Sequence, residues 1–300
     1  MMPCYKVKGE YLSMEILRTV AEIQAYTRAR KQEGKTIGLV PTMGALHEGH
    51  LTLMRAAREK CDIVIASIFV NPVQFGPNED FDAYPRRFDE DCQKLKAVSV
   101  DAVFYPESSE MYPEGFCTHI NVDGEITHKL CGAQRPGHFQ GVAMVVTKLI
   151  NLARADEAFF GQKDAQQLAL IRTMVADLDM PVQIQAVPIK REETGLALSS
   201  RNTYLGEDEY IEALALNQAL ALGKDAARHG SSPEQVRDVS MKYLAEAPGV
   251  KLDYLAVVDP ETFEDLVEVG VPAHGRGLII TAAWVGSTRL IDNREVRFDG

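Results

Sequence analysis

The sequence predicts an α/β protein: a parallel β-sheet with flanking helices, followed by a smaller C-terminal α+β domain. Apolar runs that suit buried strands alternate with helical stretches through the first part of the chain, and this alternation implies right-handed crossovers and parallel strands. The remainder begins with two long helices and ends with strand-like runs. Since 300 residues exceed the usual size of one compact core, we expect two domains, residues 1–187 and 188–300.

The elements are assigned from apolar periodicity and from turn residues. Residues 1–9 are expected to form a flexible or edge segment, and Ser13 can cap a first helix whose apolar face runs from Ile16 to Tyr26. Residues 116–131 suggest an antiparallel excursion of short strands. The other expected strands are 36–40, 62–70, 102–105, 158–160, 182–189, 252–258 and 278–285. The other expected helices are one that follows residue 47, then 86–98, 139–154, 165–179, 207–228 and 233–247.

Composition and charge exclude several classes of protein. The net charge of −11 argues against nonspecific binding to nucleic acid, which requires a basic surface. No apolar run approaches the roughly 18 residues that a membrane span needs, and the N-terminus lacks the apolar core of a signal peptide. Five cysteines without a CxxC pair indicate neither a disulfide framework nor a zinc site. We therefore expect a soluble, cytoplasmic protein without nucleic-acid or membrane partners.

The run from Gly38 to His50 leads from an apolar strand, through a break at Pro41 and Gly44, into an amphipathic helix. The first N–H groups of such a helix favour an anion. His47 and His50 are three residues apart, so both rings can donate to the same anion, and Gly49 between them would allow a ligand close to the backbone. Two surface histidines or a metal-binding pair are the alternatives.

Polar segments follow four of the expected strands. They are Pro41-Thr42-Met43, Asn71-Pro72-Val73-Gln74, Gly161-Gln162-Lys163, and a loop that ends in Ser199-Ser200-Arg201. In parallel sheets, ligands bind beyond the carboxyl ends of the strands. We therefore expect the four segments to meet at one rim of the sheet.

The His47-Glu48-Gly49-His50 segment, in this setting, resembles the HIGH signature of the nucleotidylyltransferase superfamily. The longer run PTMGALHEGH is similar to the version of that signature in the pantoate–β-alanine ligase family. Four later segments match the same family in order, at 70–75, 135–139, 160–164 and 198–202. Together the five segments span most of the chain, which makes the resemblance far more specific than one HxGH motif.

The resemblance implies a Rossmann-like sheet and an ATP-dependent ligase of the coenzyme A pathway. This enzyme would condense (R)-pantoate with β-alanine to pantothenate through a pantoyl adenylate, releasing AMP and pyrophosphate. ATP would be a substrate, Mg²⁺ would accompany it with protein ligands unknown, and the protein would be a homodimer. The alternatives are another HxGH nucleotidylyltransferase that acts on a phosphorylated alcohol, and a nucleotide-sensing protein without turnover.

The resemblance also assigns residues to the site. His47, His50 and Lys163 would be catalytic, with His50 as the proton donor. The implied ATP-binding residues are Met43, Gly44, Ala45, Leu46, His47, Glu48, Gly49, His50, Gly161, Gln162, Lys163, Asp164, Lys190, Leu198, Ser199, Ser200 and Arg201. The implied pantoate-binding residues are Asn71, Gln74 and Gln167, and Gln74 would also contact β-alanine.

Several residues near these segments have other expected roles. An apolar wall for the dimethyl group of pantoate would come from Pro41, Met43 and Phe75. Gln166 would point about 100° away from Gln167 around a helix, so it is expected to be structural. Arg135 and His138 belong either to the site or to a turn. The acidic run 89–91 is interpreted as a solvated helix face.

Overall fold

A computed structural model describes residues 14–77 and 79–298. The strands are β1 (Glu15–Leu17), β2 (Ile37–Thr42), β3 (Ile63–Ile68), β4 (Ala102–Phe104), β5 (Glu157–Gly161), β6 (Gln183–Val187), β7 (Val250–Val258), β8 (Arg276–Val285) and β9 (Thr288–Arg297). The helices are α1 (Val20–Gln32), α2 (Glu48–Lys60), α3 (Phe88–Ala97), α4 (Ser108–Met111), α5 (Glu125–His128), α6 (Cys131–Gln134), α7 (His138–Ala153), α8 (Ala165–Asp177), α9 (Glu207–Arg228), α10 (Pro233–Glu246) and α11 (Leu266–Val269). Single 3-10 turns lie at Pro72–Gln74, Gln162–Asp164 and Ser200–Tyr204.

The larger sheet has six parallel strands in the order β1-β4-β3-β2-β5-β6. From β2 the chain builds outward through β3 and β4, and then it returns to add β5 and β6 on the other side. The direction of winding therefore changes between β2 and β5. Such a switch point opens a crevice at the carboxyl ends of the two strands, and this confirms the expected parallel α/β fold.

Alternate residues of the central strands enter different cores, because side chains of a strand point to opposite faces. Leu39 and Ile65 pack with α1, α7 and α8, whereas Val40 and Ala66 pack with α2 and α3. Both faces of the sheet are thus covered, which is why the strands are continuous apolar runs. The two layers hold the carboxyl ends of β2, β3, β5 and β6 in fixed positions.

The C-terminal part has an antiparallel sheet in the order β7-β8-β9, covered by α9 and α10. Leu216 of α9 and Leu244 of α10 join Val257 and Ile279 of the strands in one core. Strand β9 was not among the expected elements. Its sequence carries charged residues at several positions, so apolar periodicity does not reveal it.

The first expected helix is wrong at its start, since residues 15–17 form β1 and pair with β4. Helix α1 begins after Thr19, whose side chain accepts the N–H of Glu22 while the Glu22 carboxylate accepts the N–H of Thr19. This capping box gives a stronger start signal than Ser13, which lies outside the described residues. Ile16 faces solvent, so it does not belong to an apolar helix face.

The expected antiparallel excursion at 116–131 is also wrong. These described residues contain no strand; α5 lies within them and α6 begins at Cys131. The buried Gln166 side chain of α8 holds the segment, because its amide donates to the carbonyls of Ile126 and Lys129 and accepts the N–H of Cys131. Backbone groups that would otherwise pair in a sheet are thus bonded to α8. Within residues 14–77 and 79–298, no helix is both long and apolar enough to cross a membrane.

Candidate active site

The loop between β2 and α2 turns sharply at Gly44 and Ala45, whose φ angles are +85° and +50°. The Thr42 hydroxyl accepts the N–H of Gly44 at 3.2 Å and donates to the carbonyl of Ser67 at 2.7 Å. Left-handed backbone is rare for alanine and needs support from its surroundings. The loop is therefore held from β3 as well as from its own strand.

Asp91 of α3 supplies further support to this loop, whereas Asp89 and Glu90 are exposed, as expected for a solvated face. The Asp91 carboxylate is fully buried and accepts the N–H groups of Ala45 and Leu46, both at 2.8 Å. Burial raises the pKa of Asp91, and the two backbone N–H groups oppose that rise. Lys94, one turn later, donates to the carbonyl of Leu46 at 2.7 Å. One face of α3 thus fixes the residues that precede His47.

His47 and His50 both bond to the start of α2. Nδ1 of His47 accepts the N–H of Gly49 at 3.1 Å, and Nδ1 of His50 accepts the N–H of His47 at 3.3 Å. Because an accepting Nδ1 carries no proton, each neutral ring carries its proton on Nε2. Both histidines line one cavity, so each has an Nε2–H donor available for an anion.

Both rings are uncharged at neutral pH. Burial, together with the charges of Lys163 and Lys94, lowers the pKa of His47 to about 4. Burial, the neighbouring His47 and the same two lysines lower the pKa of His50 well below the usual histidine value. Neutral imidazoles stabilise an anion by hydrogen bonding rather than by charge.

Gly49 lines the smaller cavity and also makes room for a neighbouring side chain. A Cβ atom at this position would lie 2.8 Å from Cε1 and 2.9 Å from Nδ1 of His47. The absence of a side chain therefore makes room for the His47 ring against the helix start. A substitution here would displace His47 itself, whether or not a ligand approaches the backbone.

Gln74 lies at the end of the turn after β3 and is held by several neighbours. Its Oε1 accepts Nδ2 of Asn71 at 3.1 Å, and its Nε2 lies 3.1 Å from the sulfur of Met43. The Asn71 amide also donates to the carbonyl of Gly141, and its oxygen accepts the hydroxyl of Tyr112. Asn71 is 1% exposed and lines neither cavity, and its amide supports the side chain of Gln74.

His138 and Arg135 support the same turn. Nδ1 of His138 lies 2.8 Å from the Gln74 carbonyl, and Nε2 lies 2.9 Å from a guanidinium nitrogen of Arg135. Since the carbonyl only accepts and the guanidinium only donates, the His138 proton is on Nδ1. Burial and the charge of Arg135 lower the pKa of His138 to about 4. Arg135 is paired in turn with Glu79.

Gln166 and Gln167 lie on different sides of α8. Gln166 is buried and bonded to the 126–131 segment, which agrees with its expected structural role. Gln167 lines the same cavity as Gln74. Gln167 also lines the larger cavity. It is therefore available to a ligand.

The Leu198–Arg201 segment closes the other side of the cavity. Arg201 donates to both carboxylate oxygens of Asp80, at 2.8 and 3.1 Å, and the Ser200 hydroxyl lies 3.4 Å from that of Tyr84. The N–H of Leu198 donates to the carbonyl of Lys190 at 3.0 Å. This segment is thus joined both to the chain after β6 and to the loop before α3.

Two adjoining cavities, of about 220 and 670 Å³, lie where these segments meet. The expected site residues that line the smaller one come from all four strand ends: Met43, His47, Gly49, His50, Gln74, Gly161, Lys163, Asp164, Gln167, Lys190, Leu198, Ser199, Ser200 and Arg201. Those that line neither cavity are Gly44, Ala45, Leu46, Glu48, Asn71 and Gln162. The segments therefore meet at one rim, as expected.

The apolar wall of the smaller cavity differs partly from the expected one. Pro41 and Met43 line it, but Phe75 instead packs edge-on against Phe81 and Tyr84. The remaining apolar wall is supplied by one face of α7 and by neighbouring strand ends, through Phe69, Val142, Val145, Val146, Leu149 and Phe160. Sequence periodicity identified α7 as an apolar helix but did not show which of its residues face a ligand.

Metal clusters and activated thiols are two further kinds of site that the described residues could have formed. In the part of the chain that the structure describes, no three His, Cys, Asp or Glu side chains form a group that could hold a metal ion. Cys61, Cys92, Cys117 and Cys131 are all free thiols. Burial is the main cause that raises the pKa of Cys61 to about 11, so this thiol is not activated as a nucleophile.

Comparison with known proteins agrees with the geometry of the site. Residues 15–295 match the family model described as pantoate-beta-alanine ligase. The chain is 50% identical to the pantothenate synthetase of Moorella thermoacetica, with 93% of this chain and 98% of that protein covered. It is 51% identical to the pantothenate synthetase of Koribacter versatilis, covering 93% and 95% of the two chains.

Solved structures show the same relationship. The pantothenate synthetase of Thermus thermophilus has a TM-score of 0.89 at 44% identity, with 95% of this chain and 100% of that chain covered. The pantoate-beta-alanine ligase of Francisella tularensis, in complex with beta-gamma ATP and beta-alanine, has a TM-score of 0.76 at 33% identity and covers 94% and 97% of the two chains. The chain therefore belongs to the pantoate–β-alanine ligase family.

Proposed function

We propose that the protein joins (R)-pantoate to β-alanine with ATP, through an enzyme-bound pantoyl adenylate, and releases AMP and pyrophosphate. One observation carries this proposal: phosphate-binding groups and carboxamide groups line the same small cavity. His47, His50 and Lys163 are suited to a triphosphate, whereas Gln74 and Gln167 are suited to a small hydroxy acid. The Francisella relative, solved with an ATP compound and beta-alanine, supports the same pair of ligands.

In the first step, a pantoate carboxylate oxygen attacks the α-phosphorus of ATP and the bond to the bridging oxygen of pyrophosphate breaks. Negative charge grows on the α-phosphate oxygens and on the leaving group, so fixed donors contribute most to the rate. The Nε2–H groups of His47 and His50 and the ammonium of Lys163 supply them. His50 is neutral, so its Nε2–H assists the leaving pyrophosphate as a hydrogen-bond donor, with proton donation as the expected alternative.

In the second step, the neutral amine of β-alanine attacks the acyl carbon of the adenylate. One proton leaves the nitrogen, the bond from the acyl carbon to the phosphate oxygen breaks, and its electron pair remains on AMP. No covalent bond to the protein forms in either step. The larger cavity adjoins the smaller one at Lys163, Asp164 and Gln167, and it provides a route for β-alanine to the adenylate.

Binding of the phosphates requires one ion pair to open. Arg201 is held by Asp80, and although burial raises the pKa of Asp80, the hydrogen bonds and charge of Arg201 lower it below its usual value. A phosphate group can take the place of Asp80, because a phosphate, like a carboxylate, presents a pair of oxygens to the guanidinium. We propose that Arg201 exchanges Asp80 for ATP when the nucleotide binds.

Mg²⁺ is proposed to enter with ATP. It prefers phosphate oxygens and water, with one or two carboxylates at most, and this preference fits a cavity without a ready-made cluster of ligands among the described residues. Asp164 is a half-exposed carboxylate at the cavity, but no protein ligand is assigned. The metal would supply charge neutralisation of the leaving pyrophosphate.

Three further assignments remain proposals. We place the domain boundary at 187/188, because β6 ends at Val187 and the second core begins with Leu196. We propose that two copies associate through the first domain, on the resemblance to the family, and sedimentation analysis can test this. We also propose a cytoplasmic location, which localisation of a tagged protein in the source cells can test.

The deciding experiment follows oxygen from pantoate. The protein is incubated with ATP, Mg²⁺, β-alanine and pantoate labelled with ¹⁸O in its carboxyl group. Transfer of one label per turnover into AMP is expected, because the attacking oxygen remains on the α-phosphate. AMP without the label, or no pantoate-dependent release of AMP, would exclude the proposal.

The alternative is a nucleotidylyltransferase that acts on a phosphorylated alcohol, which would share the histidines and Lys163. It would release a dinucleotide-like or sugar-nucleotide product and leave no label in AMP. Gln74 and Gln167 would then have no carboxylic acid to bind. A nucleotide sensor would bind ATP without any pantoate-dependent exchange of pyrophosphate.

A further inference from the structure

The turn that carries Lys163 has few contacts of its own to hold it. It is a single 3-10 turn, Gln162–Asp164, and no side chain caps its start. Helix α8, which follows directly, also begins without a side-chain cap. The position of Lys163 therefore depends on contacts from elsewhere in the chain.

Asn293 of β9 makes those contacts. Its Nδ2 donates to the carbonyl of Gln162 and to the carbonyl of Lys163, both at 2.9 Å. An amide nitrogen carries two hydrogens, so one side chain satisfies two consecutive carbonyls. Asn293 is only 4% exposed and lines neither cavity. Its side chain therefore acts on a ligand through the turn that it holds.

The residue before it holds the opposite side of the site. Both carboxylate oxygens of Asp292 accept from Arg191, at 2.7 and 2.8 Å. Arg191 also donates to the carbonyls of Gly195 and Asn293, each at 3.1 Å, and it pairs with Ala197 in an isolated bridge. A bidentate pair of this kind fixes orientation as well as distance. The chain that leads to Ser199 is thus attached to the same strand.

We infer that the Asp292–Asn293 pair of β9 is a positioning element of the nucleotide site. Asn293 fixes the turn of Lys163, while Asp292, through Arg191, fixes the segment that leads to Ser199-Ser200-Arg201. Two adjacent residues of the C-terminal sheet thereby set the distance between Lys163 on one side of the cavity and Arg201 on the other. The inference rests on the proposed function in one respect only, namely that ATP is the ligand.

The first test replaces Asn293 by alanine, with Ser240→Ala as the matched control. Ser240 is also buried in the C-terminal part and donates one hydrogen bond, to the carbonyl of Ala219, but it contacts neither cavity. Titration calorimetry with MgATP, without pantoate, is expected to show binding about tenfold weaker for Asn293→Ala, comparable to the loss of a charged contact. Ser240→Ala should stay within about twofold of the parent.

A double-mutant cycle distinguishes positioning from general loss of structure. If Asn293 acts through Lys163, then Asn293→Ala should weaken MgATP binding by no more than about twofold in a Lys163→Ala background. An equal tenfold loss in both backgrounds would overturn the inference. Asn293→Asp, which has the same size but presents an acceptor to the two carbonyls, should weaken binding at least as much as Asn293→Ala. If the alanine variant does not fold, the same comparison uses Asn293→Asp and Asn293→Ser.

Hydrogen exchange gives a readout that needs no nucleotide. Amides of residues 162–166 should exchange faster in Asn293→Ala than in the parent and in Ser240→Ala, because the turn has lost its two carbonyl contacts. If the parent binds no ATP, the proposed function fails, yet this measurement still decides the inference. Unchanged exchange at 162–166 in Asn293→Ala would overturn it.

Discussion

His50 accepts the backbone N–H of His47 on Nδ1, at 3.3 Å, and the two imidazole rings lie 4.0 Å apart. The helix start is thereby capped by the same side chains that face the ligand cavity. Because the backbone contacts occupy Nδ1, the Nε2–H atoms are directed away from the helix. Capping and ligand binding are therefore parts of one arrangement, and a change to either ring disturbs both.

The first prediction concerns the charge of His47. Its pKa is lowered to about 4, whereas an imidazole in an unfolded chain has a pKa of about 6.5. Between these values the unfolded chain binds a proton that the folded chain does not. The free energy of unfolding should therefore fall as the pH drops from about 6.5 towards 4, and this contribution should be constant above about 6.5.

The Cε1–H resonance of His47 can be assigned by its loss in His47→Gln. Its titration, followed by proton NMR, should have a midpoint of about 4. Urea unfolding at several pH values should show that the free energy of unfolding depends less on pH in His47→Gln than in the parent. A midpoint of about 6.5, the value of a solvated histidine, would contradict the neutral state that we assign at the site.

The second prediction concerns Lys163. Replacement by alanine removes a fixed charge from the developing pyrophosphate, so pantoate-dependent ATP–pyrophosphate exchange should fall about a hundredfold or more. His50→Ala should show a loss of the same order. Lys242→Ala is the control, because this lysine is exposed on α10, and its exchange rate should equal that of the parent. Near-normal exchange in Lys163→Ala would show that its role is misassigned.

The third prediction compares two neighbouring acidic residues of α3. Asp91→Asn replaces one acceptor by a donor facing the N–H groups of Ala45 and Leu46, so it should destabilise the fold by about 1–3 kcal/mol. It should also raise the KM for ATP, since the loop that presents His47 shifts. Glu90→Gln, on the exposed side of the same helix, should change neither quantity. If Asp91→Asn and Glu90→Gln had the same stability and the same KM for ATP, the role of Asp91 would be refuted.

The fourth prediction separates Gln166 from Gln167. Gln166→Ala removes the buried partner of the Ile126 carbonyl and of the Cys131 N–H, so it should lower the thermal midpoint clearly, with each such group costing about 1–3 kcal/mol. Gln167→Ala removes an amide that faces the cavity, so it should raise the KM for pantoate about tenfold with little change in stability. Unfolding scans and steady-state kinetics of the two variants check this. The prediction fails if both variants lose stability, or if both raise the KM for pantoate without losing stability.

The elements that the sequence predicted well are those that depend on local chemistry. Helix α9 has the expected bounds, and α10 begins at Pro233 as expected, after a capping box between Ser232 and Gln235. The buried strands β2 and β3 were evident as apolar runs between turn residues. Strands β1 and β9 were not, because a short edge strand and a charged strand are defined by their partners and not by their own composition.

The sequence by itself determined the family, the alternation of the strands β2 to β6 with their main helices, and which segments follow strand ends. These features are carried by the types and spacing of neighbouring residues. It could not show that Asp91 is buried beneath the signature loop, that Asn71 supports Gln74 from behind, or that Asn293 holds the turn of Lys163.

Only the tertiary structure decided these roles. Each joins residues far apart in the chain: Asp91 to Ala45, Asn71 to Gly141, and Asn293 to Gln162. A buried carboxylate or amide has the same local sequence signal as an exposed one. The difference lies in whether backbone donors or acceptors from another element are within reach, and that is fixed only when the layers pack together.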